Sequence, residues 1–172
     1  MKNMIRVKSK KTLAALSVVA VATVLAVSML IVPALAGETD LQNKHVGIKA
    51  KGFAFKRIDN ETIKQYPIEL ELTAELGERN STRIPVLSAN GTVNVNGTVY
   101  TIESGTGMVF TGRHIALIRC TGVDANGNEV VLGIGAVYFW WGGSMYAFRA
   151  KAVLKTADGP MLLLLRGAAK VY

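Results

Sequence analysis

The chain has one cysteine, two histidines and four prolines among 172 residues. A single thiol, Cys120, excludes an intrachain disulfide, so the fold must rely on its core. The histidines, His45 and His114, stand far apart, and no His, Cys and carboxylate cluster has metal-ligand spacing. No Lys-Ser/Thr comes after Gly105-Thr106-Gly107, so it is not a phosphate loop. No segment after residue 36 sustains a helical period, which excludes a helix bundle. No metal and no cofactor is expected.

Hydrophobicity is concentrated at the start. Lys2, Arg6, Lys8, Lys10 and Lys11 precede an apolar run, Thr12 to Val32, which ends at Pro33-Ala34-Leu35-Ala36. A basic region, an apolar region and a small-x-small site are the parts of a secretory signal. The run is also about as long as the ~20 residues of a membrane-spanning helix. Residues 1–36 are therefore read as a signal peptide or an uncleaved membrane anchor, 37–44 as a short linker, and 45–172 as a single β-domain. Basic flanks stay cytoplasmic, so the domain is extracytoplasmic under either reading, secreted or membrane-anchored through residues 12–32. Five of the 20 Lys and Arg leave with the leader, so 15 remain against 12 Asp and Glu, a net of +3. That balance does not suggest a nucleic-acid partner.

The region from Tyr66 to Leu76 alternates, with Ile68, Leu70, Leu72, Ala74 and Leu76 on one face and Glu69, Glu71 and Glu75 on the other. Period two with one apolar face is a half-buried strand. Turn signals at Asn96-Gly97, Asn126-Gly127, Gly142-Gly143 and Asp158-Gly159 cut the C-terminal part of the chain into hairpins. Strands are expected near 45–57, 66–77, 83–89, 91–95, 98–104, 108–123, 129–141, 144–156 and 161–171. The fold class is all-β, an antiparallel meander closing into a small barrel or a barrel-like sandwich, preceded by the signal or anchor helix.

Closing the last three turns as two-residue loops pairs Cys120 with Gly133, Gly135 with Ala150, and Ala152 with Leu165. One inner face then carries Val131, Gly133, Gly135, Val137, Phe139, Ala150, Ala152 and Gly167. The small residues permit tight bending, or leave a cavity for an apolar ligand near Gly133, Gly135 and Ala150. The opposite face carries Arg113, Arg119, Arg149, Lys151 and Arg166 with Tyr138 and Trp140. Arginines that fork onto anions beside stacking aromatics are candidate ligand-binding residues for an anionic glycan, another envelope polymer or lipid headgroups. Lys49 and Lys51 are placed to pair with glutamates of the set Glu69, Glu71 and Glu75 across the first hairpin. The runs Val137–Trp141 and Met161–Leu165 are apolar on both faces, which points to a partner surface or self-association.

Other candidate chemistry is weak. His114 and Cys120 are read as inward-facing residues on one strand, about 20 Å apart at the strand rise, too far for a thiolate–imidazole pair. Glu69 and Glu71 have glycosidase-like separation but the alternation of a solvent face. Asp124 to Glu129 alternates oxygen ligands without the geometry of a calcium loop. Sequons begin at Asn60, Asn80, Asn90 and Asn96, acceptors for glycosylation only in a host that modifies exported proteins. The expected function is that of an exported, non-enzymatic envelope or cell-surface β-protein acting by binding or assembly, a structural or adhesive subunit. The alternatives are a barrel for a small apolar ligand, a module for an anionic glycan or lipid headgroup, and, least of all, a hydrolase with an unfamiliar site.

Overall fold

A computed structural model describes residues 41–59 and 62–172. The readings made for residues 1–36, and for Asn60, lie outside the described residues. Eight antiparallel strands run in chain order: β1 His45–Arg57, β2 Ile63–Leu76, β3 Arg83–Val95, β4 Thr98–Phe110, β5 Ile115–Val123, β6 Glu129–Gly142, β7 Met145–Thr156 and β8 Gly159–Val171. Each pairs with the next, and β8 pairs with β1, so the meander closes into a barrel and not a sandwich. Closure removes both sheet edges and with them the unpaired backbone groups that an open sheet presents.

Two of the expected strand boundaries differ. The pieces 83–89 and 91–95 are one strand, β3, which continues through Gly91 at φ 147°. The span 108–123 is two strands. A single 3-10 turn, Thr111–Arg113, reverses the chain, and His114 adopts φ 53° before β5 begins. No glycine pair marks this reversal, which is why the sequence reads as continuous.

The hydrophobic alternation in β2 sets its facing: Ile68, Leu70, Leu72, Ala74 and Leu76 are buried and the glutamates exposed. Lys49 reaches Glu71 at 2.9 Å and Lys51 reaches Glu69 at 2.6 Å, as the first hairpin requires. All four side chains are exposed, so these pairs decorate the barrel and contribute little to holding it. The hydrogen bond and charge of Glu69 raise the Lys51 pKa above its ordinary value.

The main correction concerns β6. Its inner residues are Val130, Leu132, Ile134, Ala136 and Tyr138, and Val131, Gly133, Gly135, Val137 and Phe139 face outward. The loop before it is one residue longer than a two-residue turn, and a bulge displaces the ladder after it. Before it, Asp124 N–H donates to Asn128 O, and Gly127 takes φ 80° within a longer loop. After it, the ladder shifts by a bulge between Trp140 and Gly142. A one-residue slip turns every side chain of a strand to the other face. The β7–β8 turn is Ala157-Asp158, so Ala152 pairs with Leu163; the slip of two leaves facing unchanged.

The barrel has two ends. At the entry end lie residues 41–44, the connections 77–82, 111–114 and 143–144, and Tyr172. At the far end lie residues 58–59 and 62 and the connections 96–97, 124–128 and 157–158. The interior is apolar and the outside carries Lys49, Glu71, Arg149 and Lys151, the reverse of the polarity of a barrel that crosses a membrane.

Candidate functional site

Interior side chains fill the two halves of the barrel differently. Toward the far end Val130, Leu132, Leu154 and Leu163 meet with no accessible surface. Toward the entry end alanines replace large residues on successive strands: Ala74 on β2, Ala116 on β5, Ala136 on β6, Ala150 on β7 and Ala169 on β8. They leave a cavity of about 100 Å³ with an entirely apolar lining. Val46, Leu70, Ile118, Phe148 and Leu165 complete its walls, and Leu41 reaches it from the chain entry. Tyr138 and Tyr146 line it with rings in edge-to-face contact at 5.8 Å.

The cavity is therefore real but not where the glycine pattern places it. Gly133 and Gly135 are on the outer surface; a side chain at Gly133 would meet open space. Ala150 does line the cavity, together with alanines that the sequence pattern does not single out. Their alternation along single strands is visible in the sequence, but only the correct facing of β6 brings Ala136 beside Ala150.

The proposed basic face divides. Arg119, Arg149, Lys151 and Arg166 are outward and exposed, as expected. Arg149 lies opposite Arg166, which lies opposite Lys51, so like charges adjoin and Glu69 compensates at the end of the row. Arg119 and Lys151 instead sit among apolar neighbours, Arg119 opposite Gly133 and Lys151 opposite Leu164. Arg113 and Trp140 belong to the entry end. Tyr138 is a correction: it is buried and inward, stacked edge-on against His114 at 5.5 Å. An outer groove of about 740 Å³ runs over Gly47, Gly91 and Ala168 between Lys49, Glu71, Lys170 and Tyr172. Its mixed charge gives no preference for an anion.

His114 leaves the strand and packs on Tyr138; it is not paired with Phe139. Cys120 is fully buried opposite Leu132, and burial pushes its thiol pKa from 9.0 to about 11. The native thiol should resist alkylation at pH 8 and react only on unfolding, checked by mass spectrometry after iodoacetamide. The same shift couples stability to pH. Below pH 9 both states keep the proton; between about 9 and 11 only the unfolded chain loses it, so stability falls with pH by up to ~2.7 kcal/mol across that window. Urea melts of the parent and Cys120→Ala at pH 8 and pH 10.5 should show a larger fall in the parent than in the variant, where the Tyr100 phenol, its pKa raised chiefly by burial, still contributes.

The Asp124 carboxylate accepts from the backbone N–H of Asn126 at 2.8 Å and of Asn128 at 2.9 Å, and from the Asn128 side chain at 2.9 Å. These bonds, the Asn128 side chain first, hold its pKa below the ordinary value. The alternating oxygens are thus spent on the turn itself. Among the described residues no three His, Cys, Asp or Glu side chains gather in a group that could hold a metal ion. Sequon residues Asn80, Asn90 and Asn96 are exposed. The chain matches no protein-family model, no curated protein and no solved structure.

Proposed function

We propose that this protein is an exported, non-enzymatic binding protein whose barrel takes one small apolar molecule. The observation that carries this reading is the apolar cavity at the entry end, where five alanines line one space in an otherwise packed barrel. Eight strands close on an interior just wide enough for side chains or one small ligand. An apolar cavity of roughly this size stays dry and takes up molecules such as benzene. The lining carries two phenols and no carboxylate, imidazole, thiol or amine, which supports binding over catalysis. Export rests on the pattern of residues 1–36.

Filling the space tests the reading. Ala136→Leu and Ala150→Leu together should weaken binding of benzene or indole at least tenfold and leave the melting temperature of the unliganded barrel unchanged or higher. For the parent, ligand at 100 times its Kd should raise stability by about 2.7 kcal/mol. A parent barrel that shows no ligand-dependent shift in melting would refute the proposal.

A second reading, assembly, is favoured by the outer surface of β5 to β8 and β1. Phe53, Leu117, Val153 and Leu162 are 39–50% exposed and occupy two adjacent rows with Leu164, Gly133 and Gly135. An apolar outer patch of this kind, crossed by Lys151 and bordered by Arg119, marks an interaction site. Light scattering over a concentration series decides it: a constant monomer mass removes assembly from consideration.

A further inference from the structure

We propose that the entry end of the barrel is a docking rim for an anionic lipid bilayer. The rim is aromatic. The β6–β7 hairpin carries Trp140 and Trp141, the latter 70% exposed, and Tyr172 on the neighbouring strand end is 66% exposed. The Trp140 indole N–H donates to Gly143 O at 2.9 Å, which fixes one ring against the hairpin and leaves Trp141 projecting. Large rings with one polar edge settle at the boundary between lipid headgroups and acyl chains.

The rim is also basic. Its connections carry Lys44, Arg79 and Arg113 against the single carboxylate of Glu78. The connections at the far end carry Asp59, Asp124 and Asp158, and Lys56 near the end of β1 lies 3.9 Å from Asp158. A rim whose basic side chains outnumber its acidic ones favours a negative surface.

The cavity lies in the half of the barrel nearest the rim, so an apolar molecule partitioned into lipid would be presented where the barrel has room. The docking itself rests on the rim and is independent of whether the cavity is filled.

The test uses residues 37–172 without ligand. All eight strands pair within residues 45–171, so this segment carries the whole closed barrel. Trp140 and Trp141 are the two tryptophans of the chain, so emission reports the rim alone. Vesicles of phosphatidylcholine with phosphatidylglycerol should sediment the barrel and shift its emission to the blue, and vesicles of phosphatidylcholine alone should bind at least tenfold more weakly. Trp141→Ser should reduce binding at least tenfold, Arg79→Gln with Arg113→Gln should reduce it and flatten its salt dependence, and Leu162→Ser, on the barrel side, should leave it unchanged. Far-UV circular dichroism identifies any variant that fails to fold. No sedimentation with the anionic vesicles, or sedimentation with unshifted emission, overturns the proposal; so does loss of binding in a folded Leu162→Ser barrel with Trp141→Ser unaffected.

Discussion

Gly52→Val should destabilise the barrel by about 3 kcal/mol, the upper part of the range for forced overpacking. Gly52 faces inward on β1 opposite Leu165, and a side chain there would be driven into the backbone carbonyl of Leu164 and come within 3.1 Å of the Leu165 Cα. Backbone cannot give way as a side-chain tip can, and the β8 backbone comes this close because nothing projects from Gly52. The paired control is Gly133→Val on the outer face of β6, where the added carbons meet open space. It should change stability by no more than about 0.5 kcal/mol. Equilibrium urea unfolding of both variants checks the contrast. Equal losses would mean that β6 turns its glycines, and not Ala136, toward the interior.

Leu163→Ala should cost about 2–5 kcal/mol, and Leu162→Ala less than about 0.5 kcal/mol. The two residues are adjacent in the run Met161–Leu165, which is apolar throughout. Leu163 has no accessible surface, sits opposite Ala54 and Ala152 and belongs to the filled half of the barrel, where truncation leaves an empty space with nothing to collapse into it. Leu162 is 45% exposed on the outside. Thermal melts of the pair measure facing directly in a strand whose composition does not declare it.

The strands with one polar face are legible in the sequence. In β2 glutamates alternate with aliphatics, and both facing and partner lysines come from that pattern. The Asn96-Gly97 hairpin is equally plain, with Asn94 Oδ1 accepting from Gly97 N–H at 2.8 Å and Val95 opposite Thr98. In β6 neither face is polar: Val130 to Trp141 is apolar or glycine throughout, so its pattern permits either facing. Loop length and ladder regularity then decide: the loop before β6 is one residue longer than a two-residue turn, and a bulge between Trp140 and Gly142 offsets the ladder after it. Because both offsets reverse the facing of β6, two-residue closures on its two sides agree with each other while the strand between them is inverted. Agreement among turns is a test of facing only if one strand has a polar side.

That inversion explains most of the difference between the expected site and the observed one. It moves Tyr138 outward and the glycine belt inward, and it hides the meeting of Ala136 with Ala150. The outward arginines are placed correctly because β7 alternates charged with apolar residues, and the single arginines of β5 and β8 follow buried neighbours, Ile118 and Leu165. They do not form one site because register scatters them: Arg113 falls at the entry end, while Arg149 and Arg166 share a row with Lys51 and Glu69. The reversal at 111–114 rests on a histidine at φ 53°, a conformation for which sequence gives little warning.

Methyl NMR of residues 37–172 titrated with benzene tests the central claim most directly. Binding inside the barrel predicts saturable shifts at the methyls of Ala136, Ala150, Ala169 and Val46, with Leu117, Val153 and Leu162 on the outside unmoved. Saturable shifts confined to the outer methyls, or no saturable shift at any methyl, would contradict it.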